Sequence, residues 1–526
     1  MTHFAIRPIT LTLASALAMP AAMAAGFLPD ELLVSRTVYS GVASTVVVGQ
    51  ALPGGGVATD NGLFPNVFKN EVPDPSFGVT SAIYIDQLTR SGTLLGTLAI
   101  DTSLVATSFA SKSELALNLS TDGSAFTFMG YQSPVNALDV SNSNTATVFD
   151  STNPVGTTVS RAVVQVSLST GAVQTTSVDA YSGNNGRAAV LANGSYYMVG
   201  NAGNGSGNGT QLSQLSDDTG VQRIAVGSSG ATTAVGAAKG TFGATTGYQR
   251  GFALQDVTDP NSATNAKYAA DKTGKDDNFR GMTVYNGTMY VTKGSGSNGV
   301  NTVYQVGAAG ALNNGGTLSN ANIAILPGFN TLSEKVAEAP ATLTATPHPF
   351  GLWFANSTTL FVADEGDGVR LGVAGKNTSF AGLQEWTLNG GIWSKVATFQ
   401  QGLIDQAAYS LTDPATGISY WNVKTDGLRN ITGRVNADGT YTVYATTSTV
   451  SSETSHDLGA DPNEIVSITV GSSSTSANTA FSVLETAAYG ERFGGVLLSP
   501  VPEPGTDALL LSGLAFVGVA ARRRRR

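Results

Sequence analysis

Three arginines share one place in a repeated pattern. Arg187 and Arg280 each stand seven residues before the glycine of an Asn-Gly pair, and Arg429 opens a longer copy of the same pattern. The remaining copies carry Leu115, Phe350 and Gly494 there. Guanidinium groups hold carboxylate or sulfate through paired N–H donors, so a cluster of them suits an acidic sugar. The plainer role is structural, each arginine holding a carboxylate or loop carbonyls of a neighbouring repeat. His348, in Thr-Pro-His-Pro-Phe, precedes one of these copies and is the fourth candidate ligand-binding residue. The sequence holds three histidines and no cysteine, and His3 lies in a leader-like start. A Ser-His-Asp triad would therefore need His348 or His456, and neither sits in a nucleophile motif. No catalytic residue is assigned, and His456 reads as a solvated loop residue. Asp364-Glu365-Gly366-Asp367-Gly368 and the stretch from Asp271 to Asp277 are oxygen-rich and bent by glycine. Asp364, Glu365 and Asp367 are weak candidates for Ca²⁺, but neither stretch matches the twelve-residue calcium loop, and solvated turns explain both. No cofactor is expected.

The elements that would position these residues are hairpins. Residues 115–129, 187–199 and 280–292 each read as an apolar strand, an Asp-Gly or Asn-Gly turn and a strand rich in aromatic or β-branched residues. Weaker copies lie at 350–363 and 429–446. Asn-Gly and Asp-Gly supply the positive φ angles of two-residue turns, which also explains the Asn-x-Ser/Thr triplets found there without glycosylation. A second kind of hairpin alternates with the first, at Ile83–Ile100, Val163–Val178, Val303–Leu326 and Leu383–Phe399. Alternating inner and outer hairpins make four-stranded units. Their spacing, about 70 to 90 residues, exceeds that of compact propeller repeats and predicts inserted loops.

The two ends of this region complement each other. Residues 493–500 read as the first strand of an inner hairpin that lacks its second, and residues 31–38 as a second strand that lacks its first. Joined, they complete one more unit and shut a ring. The expected fold is all-β: a β-propeller of six four-stranded blades closed by its N- and C-terminal strands, with seven blades if residues 211–257 hide another. Over residues 30–500 the chain resembles bacterial β-propellers in general. A β-sandwich array or a β-helix is the alternative, and neither accounts for the complementary halves. Three arginines at the head of the innermost strands would then face the mouth of a central channel.

The flanking segments read as addresses. Arg7, an apolar run from Ile9 to Ala18 and Ala22-Met23-Ala24 predict a signal peptide over residues 1–24. After a body over residues 25–500, a tail over residues 501–526 carries Pro502-Glu503-Pro504, an apolar stretch 508–521, and then Arg522, Arg523, Arg524, Arg525 and Arg526. The apolar stretch is about 21 Å long as a helix, short for a hydrocarbon core of about 30 Å. The arginines can snorkel and hold their end on the cytoplasmic side as a membrane stop. This order of features resembles the PEP-CTERM sorting signal, with Pro502, Glu503 and Pro504 carrying the motif and Asp507 departing from it. The resemblance implies a Gram-negative host that makes exopolysaccharide, recognition by the membrane peptidase exosortase, and delivery to the cell surface or extracellular matrix.

Without Arg7, Asp507 and the five terminal arginines, Lys+Arg falls from 28 to 22 and Asp+Glu from 37 to 36, a formal net charge of −14. That balance disfavours nucleic acid and anionic membrane as partners. The expected partners are signal peptidase and exosortase during export, the inner membrane transiently through the tail helix, and exopolysaccharide or another surface protein afterwards. The expected function is a non-enzymatic surface or matrix propeller that binds or scaffolds polysaccharide. The alternatives are an extracellular hydrolase or lyase acting on anionic glycans or esters, and a purely structural envelope protein.

Overall fold

The computed structural model describes residues 26–39, 51, 78–109, 111, 114–150, 153, 155–203, 218–236, 239–242, 245–248, 277–295, 299–331, 347–366, 380–403, 409–412, 417, 419–450 and 461–501. The expected signal peptide, His456, Asp367, the Pro-Glu-Pro motif, the expected tail helix and the terminal arginines lie outside the described residues. No helix among the described residues is long and apolar enough to cross a membrane.

The body is an all-β propeller of six blades, with 3₁₀ turns at Val140–Asn142 and Asn313–Gly315. Blade one orders Glu491–Leu498, Leu32–Val38, Thr80–Leu88 and Leu94–Ala99 from the inside outward. Blade two begins at Asn118–Leu119, blade three at Gly186–Ala192, blade four at Met282–Tyr285, blade five at Pro349–Asn356 and blade six at Ser419–Val435. In blades two to six the inner strand continues into an antiparallel second strand, and in blade one Glu491–Leu498 pairs with Leu32–Val38 from the other end of the chain. The expected turns are in place, with Asn193 and Gly194 at φ 49° and 72° and Asn286 and Gly287 at 47° and 67°. The segment 211–257 supplies no seventh blade among the described residues but the outer hairpin of blade three, Gly220–Ala225 with Thr233–Gly236, and a two-stranded ribbon of Lys239–Phe242 with Thr245–Tyr248.

Strand alternation decides how the blades pack. Along the first hairpin of blade three, Ala188, Val190, Tyr197 and Val199 face blade four, while Ala189, Tyr196 and Met198 face blade two. The same division recurs elsewhere, so that among the described residues one apolar cluster fills each of the six blade interfaces. The interface between blades six and one includes Tyr444 and Ile465 against Leu32, Val34 and Val496. Burial on both faces of each sheet is why the strands read as nearly continuous apolar runs.

Five of the inner strands carry a bulge among the described residues. In blade one, Arg36 pairs with Phe493 and Val34 with Val496, so Gly494 and Gly495 together oppose Ser35. In blade six Arg429 and Asn430 oppose one residue, in blade five Phe350 and Gly351 do so, and in blade three Arg187 is the extra residue. In blade four, Arg280 N–H donates to the Thr292 carbonyl and Thr292 N–H to the Gly281 carbonyl, the same two-against-one arrangement. A bulge turns a side chain away from the pleat and twists the strand.

A hydroxyl on the second strand satisfies the loosened backbone. Gly495 N–H donates to Ser35 Oγ at 2.7 Å, and Ser35 Oγ donates to the Leu115 carbonyl of the next blade at 2.7 Å. Thr292 repeats the relay between Gly281 N–H and the Phe350 carbonyl, at 2.9 and 2.6 Å. Thr127 likewise donates to the Ala189 carbonyl at 2.6 Å. These contacts bring the inner strands together, and glycine permits the approach. A Cβ on Gly281 would lie 2.0 Å from the Phe350 carbonyl oxygen, and one on Gly495 2.4 Å from that of Leu115.

Candidate functional site

The bulges place Arg187 and Arg280 at the head of their inner strands and Arg429 within the longer inner strand of blade six, all three on the channel side of the ring. Arg492, just before the bulge of blade one, and Glu114, just before the inner strand of blade two, join them. In blades one and two the charged residue stands before the position held by Gly494 and Leu115. One residue earlier, Glu114 supplies the charge in blade two, and two earlier, Arg492 supplies it in blade one.

Each arginine reaches toward a neighbour. Arg187 Nη1 donates to the Phe279 carbonyl of blade four at 2.8 Å and to Asn278 Oδ1. Arg429 Nε lies 3.3 Å from Glu365 Oε2 of blade five. Arg492 Nε donates to the Phe109 carbonyl at 3.1 Å. Arg280 is partly exposed, donates to Ser295 Oγ at 2.9 Å and lies over the Phe350 ring at 5.9 Å. Beside them Arg161, fully buried, donates to the carbonyls of Val159, Ser141 and Asn184 at 2.7, 2.8 and 2.5 Å.

The electrostatics follow from burial. Arg429 is held below the usual arginine range by burial, partly offset by Glu365, with Arg280 adding repulsion. Burial and the nearby Arg429 push Arg492 down to about 9, against the pull of Glu114. Burial raises Glu114, although its carboxylate accepts from Thr107 Oγ1 at 2.7 Å, Ser108 N–H at 3.1 Å and the Tyr131 hydroxyl. Cations therefore gather at this mouth on a protein whose overall charge is negative.

His348 lies at the start of the blade-five inner strand. Its backbone N–H donates to Asp364 Oδ2 at 2.7 Å, and its imidazole Nδ1 is buried without a hydrogen bond. Asp364 also accepts from Gln384 Nε2 and Gly366 N–H, both at 3.1 Å, and burial pushes it up to about 6. Its oxygens thus face N–H donors, and Glu365 faces Arg429. Among the described residues no group of three or more His, Cys, Asp or Glu is arranged to hold a metal ion.

Two cavities among the described residues are lined mainly by apolar surface. One of about 240 Å³ lies between blades four and five, where Phe329 stacks on Trp386 at 3.9 Å. The other, about 680 Å³, lies at the opposite end of the channel between Phe27, Leu119, Leu168 and Val501. From Arg492 the chain runs along the inner strand to Val501, about 30 Å in extended form. The tail therefore leaves from the face opposite the arginines.

Residues 500–526 match the PEP-CTERM protein-sorting motif. The motif marks proteins that are exported and sorted to the cell surface or extracellular space, with processing by exosortase during export. No curated protein matches the chain by sequence. Among solved structures, acylaminoacyl peptidase from Pyrococcus horikoshii is similar at 8% identity and a TM-score of 0.24, covering 70% of this chain and 47% of that one. Cobalt-substituted apocarotenoid oxygenase from Synechocystis is similar at 6% identity and a TM-score of 0.22, covering 80% and 59%. The chain spans less than two thirds of either structure, and likeness at this level carries no functional argument.

Proposed function

We propose that this protein is a non-enzymatic surface or matrix propeller that binds acidic exopolysaccharide at the arginine-bearing mouth. The observation that carries the reading is the gathering of Arg187, Arg280, Arg429 and Arg492 from blades three, four, six and one at one end of the channel. That end lies opposite the face from which the sorting tail leaves, so a protein held or recently released by its tail presents the basic mouth outward. Arg280, partly exposed, is the group a polymer meets first, and carboxylate or sulfate groups are the chemistry it would hold.

A second reading rests on the same arginines. Arg187, Arg429 and Arg492 hold neighbouring blades, which suits a purely structural envelope protein. Pull-down of the processed protein with the host's exopolysaccharide separates the two, with and without Ca²⁺. Arg280→Ala and the Arg187/Arg280/Arg429 triple alanine variant are compared with wild type, and circular dichroism verifies their fold. Binding by wild type that falls in folded Arg280→Ala supports the polysaccharide role. Absence of binding by folded wild type overturns it and leaves the structural reading.

A further inference from the structure

We infer that the arginine mouth contains a small-anion site in which the terminal edge of Arg492 takes a carboxylate. Arg492 is 1% exposed, and its Nη1 and Nη2 are both buried with no hydrogen-bond partner. Its Nε is already satisfied by the Phe109 carbonyl at 3.1 Å, so the unused donors are the two that form the flat terminal fork. Buried polar groups are almost always paired, and two buried charged donors left without an acceptor are costly for a fold to hold.

The neighbouring groups relieve it only in part, through the pull of Glu114. Arg429 is a like charge, and the oxygens of Glu114 are engaged by Thr107, Ser108 and Tyr131. A planar carboxylate fits the fork through two parallel N–H···O bonds and offsets the repulsion between Arg492 and Arg429. The floor of the site is shut, because a Cβ on Gly494 would lie 2.5 Å from that of Leu115 and one on Gly495 2.4 Å from the Leu115 carbonyl oxygen. A ligand that reaches the fork therefore comes from the mouth, and the two terminal donors match one carboxylate group. Its source is either a free small acid or the uronate of a polymer. The inference does not depend on the polysaccharide reading, since it concerns Arg492 and a ligand that acetate mimics alone.

The test is calorimetric titration of the full processed protein with sodium acetate, and separately with a galacturonate oligomer, against sodium chloride at equal ionic strength. One equivalent of acetate should bind saturably. Arg492→Met, which keeps the length and apolar body of the side chain, should weaken binding about tenfold or more by removing the charged fork. Glu114→Gln keeps a polar group beside Tyr131 while removing the competing negative charge, and should tighten acetate binding. Competition between the oligomer and acetate assigns the uronate source, whereas acetate binding without competition assigns the free acid. Wild type that binds neither ligand saturably overturns the inference, as does acetate binding unchanged in Arg492→Met or not tightened in Glu114→Gln. The Glu114→Gln and wild-type titrations decide the matter if Arg492→Met does not fold.

Discussion

The Arg429 guanidinium stands 3.3 Å from the Glu365 carboxylate across the boundary between blades six and five, with side chains 2% and 8% exposed. Removing one member of such a pair leaves an uncompensated buried charge, costing about 3–5 kcal/mol. Arg429→Met and Glu365→Gln should each destabilise the protein on that scale by urea denaturation. The double variant should be less unstable than the sum of the two, because the two side chains interact directly.

Asp364 gives a signed pH dependence. Burial raises its carboxyl from 3.8 to about 6, so the folded state binds the proton more tightly than the unfolded chain. This contribution to stability is fully present below about pH 4 and is lost as pH rises through about 6, a change of about 3 kcal/mol. The urea midpoint of wild type relative to Asp364→Asn should therefore fall between pH 4 and pH 6 and then level. A constant difference between the two proteins across that range would refute the assignment.

Glycine substitutions should separate the inner strands from the surface turns. Gly281→Ala would place a Cβ 2.0 Å from the Phe350 carbonyl oxygen and should cost about 1–3 kcal/mol or more by overpacking. Gly156→Ala meets nothing within 4 Å and has no positive φ, so it should be neutral or mildly stabilising. Thermal melting of the two variants, compared with wild type, reads this difference directly.

The hydroxyl relay makes a further prediction. Thr292→Val keeps shape but removes the group that accepts from Gly281 N–H and donates to the Phe350 carbonyl. The two buried backbone groups it leaves should cost about 1–3 kcal/mol. Hydrogen exchange should show Gly281 losing protection before the outer strands of blade four.

Turn chemistry made much of the fold readable in the sequence. Asn193-Gly194 and Asn286-Gly287 have a conformation that few other pairs adopt, and strands on either side of them had to pair locally. The complementary halves near Val34 and Val496 were legible for the same reason, since each lacked a partner in its own neighbourhood. The outer hairpin of blade three was harder, because the stretch before Gly220 carries no periodic apolar pattern. The arginines of blades three, four and six were visible by their spacing from the turns. Arg492 was not, because its blade has no turn between its first and second strands. Glu114 stands one residue outside the repeated hairpin position held by Leu115, and cross-blade partners such as Phe279 for Arg187 arise only once the ring curves.

The contact between Gly495 N–H and Ser35 Oγ spans 460 residues of chain. A chain emerging from its N-terminus makes Leu32–Val38 early and Glu491–Leu498 almost last. At a synthesis rate of about 5–20 residues per second, the first strand waits roughly half a minute to a minute and a half for its partner. During that interval one side of blade one offers unpaired N–H and C=O groups to any other strand in reach. The ring is thus a clasp fastened at the end of delivery, and secretion yield should depend on how well that waiting strand is shielded until Val496 arrives.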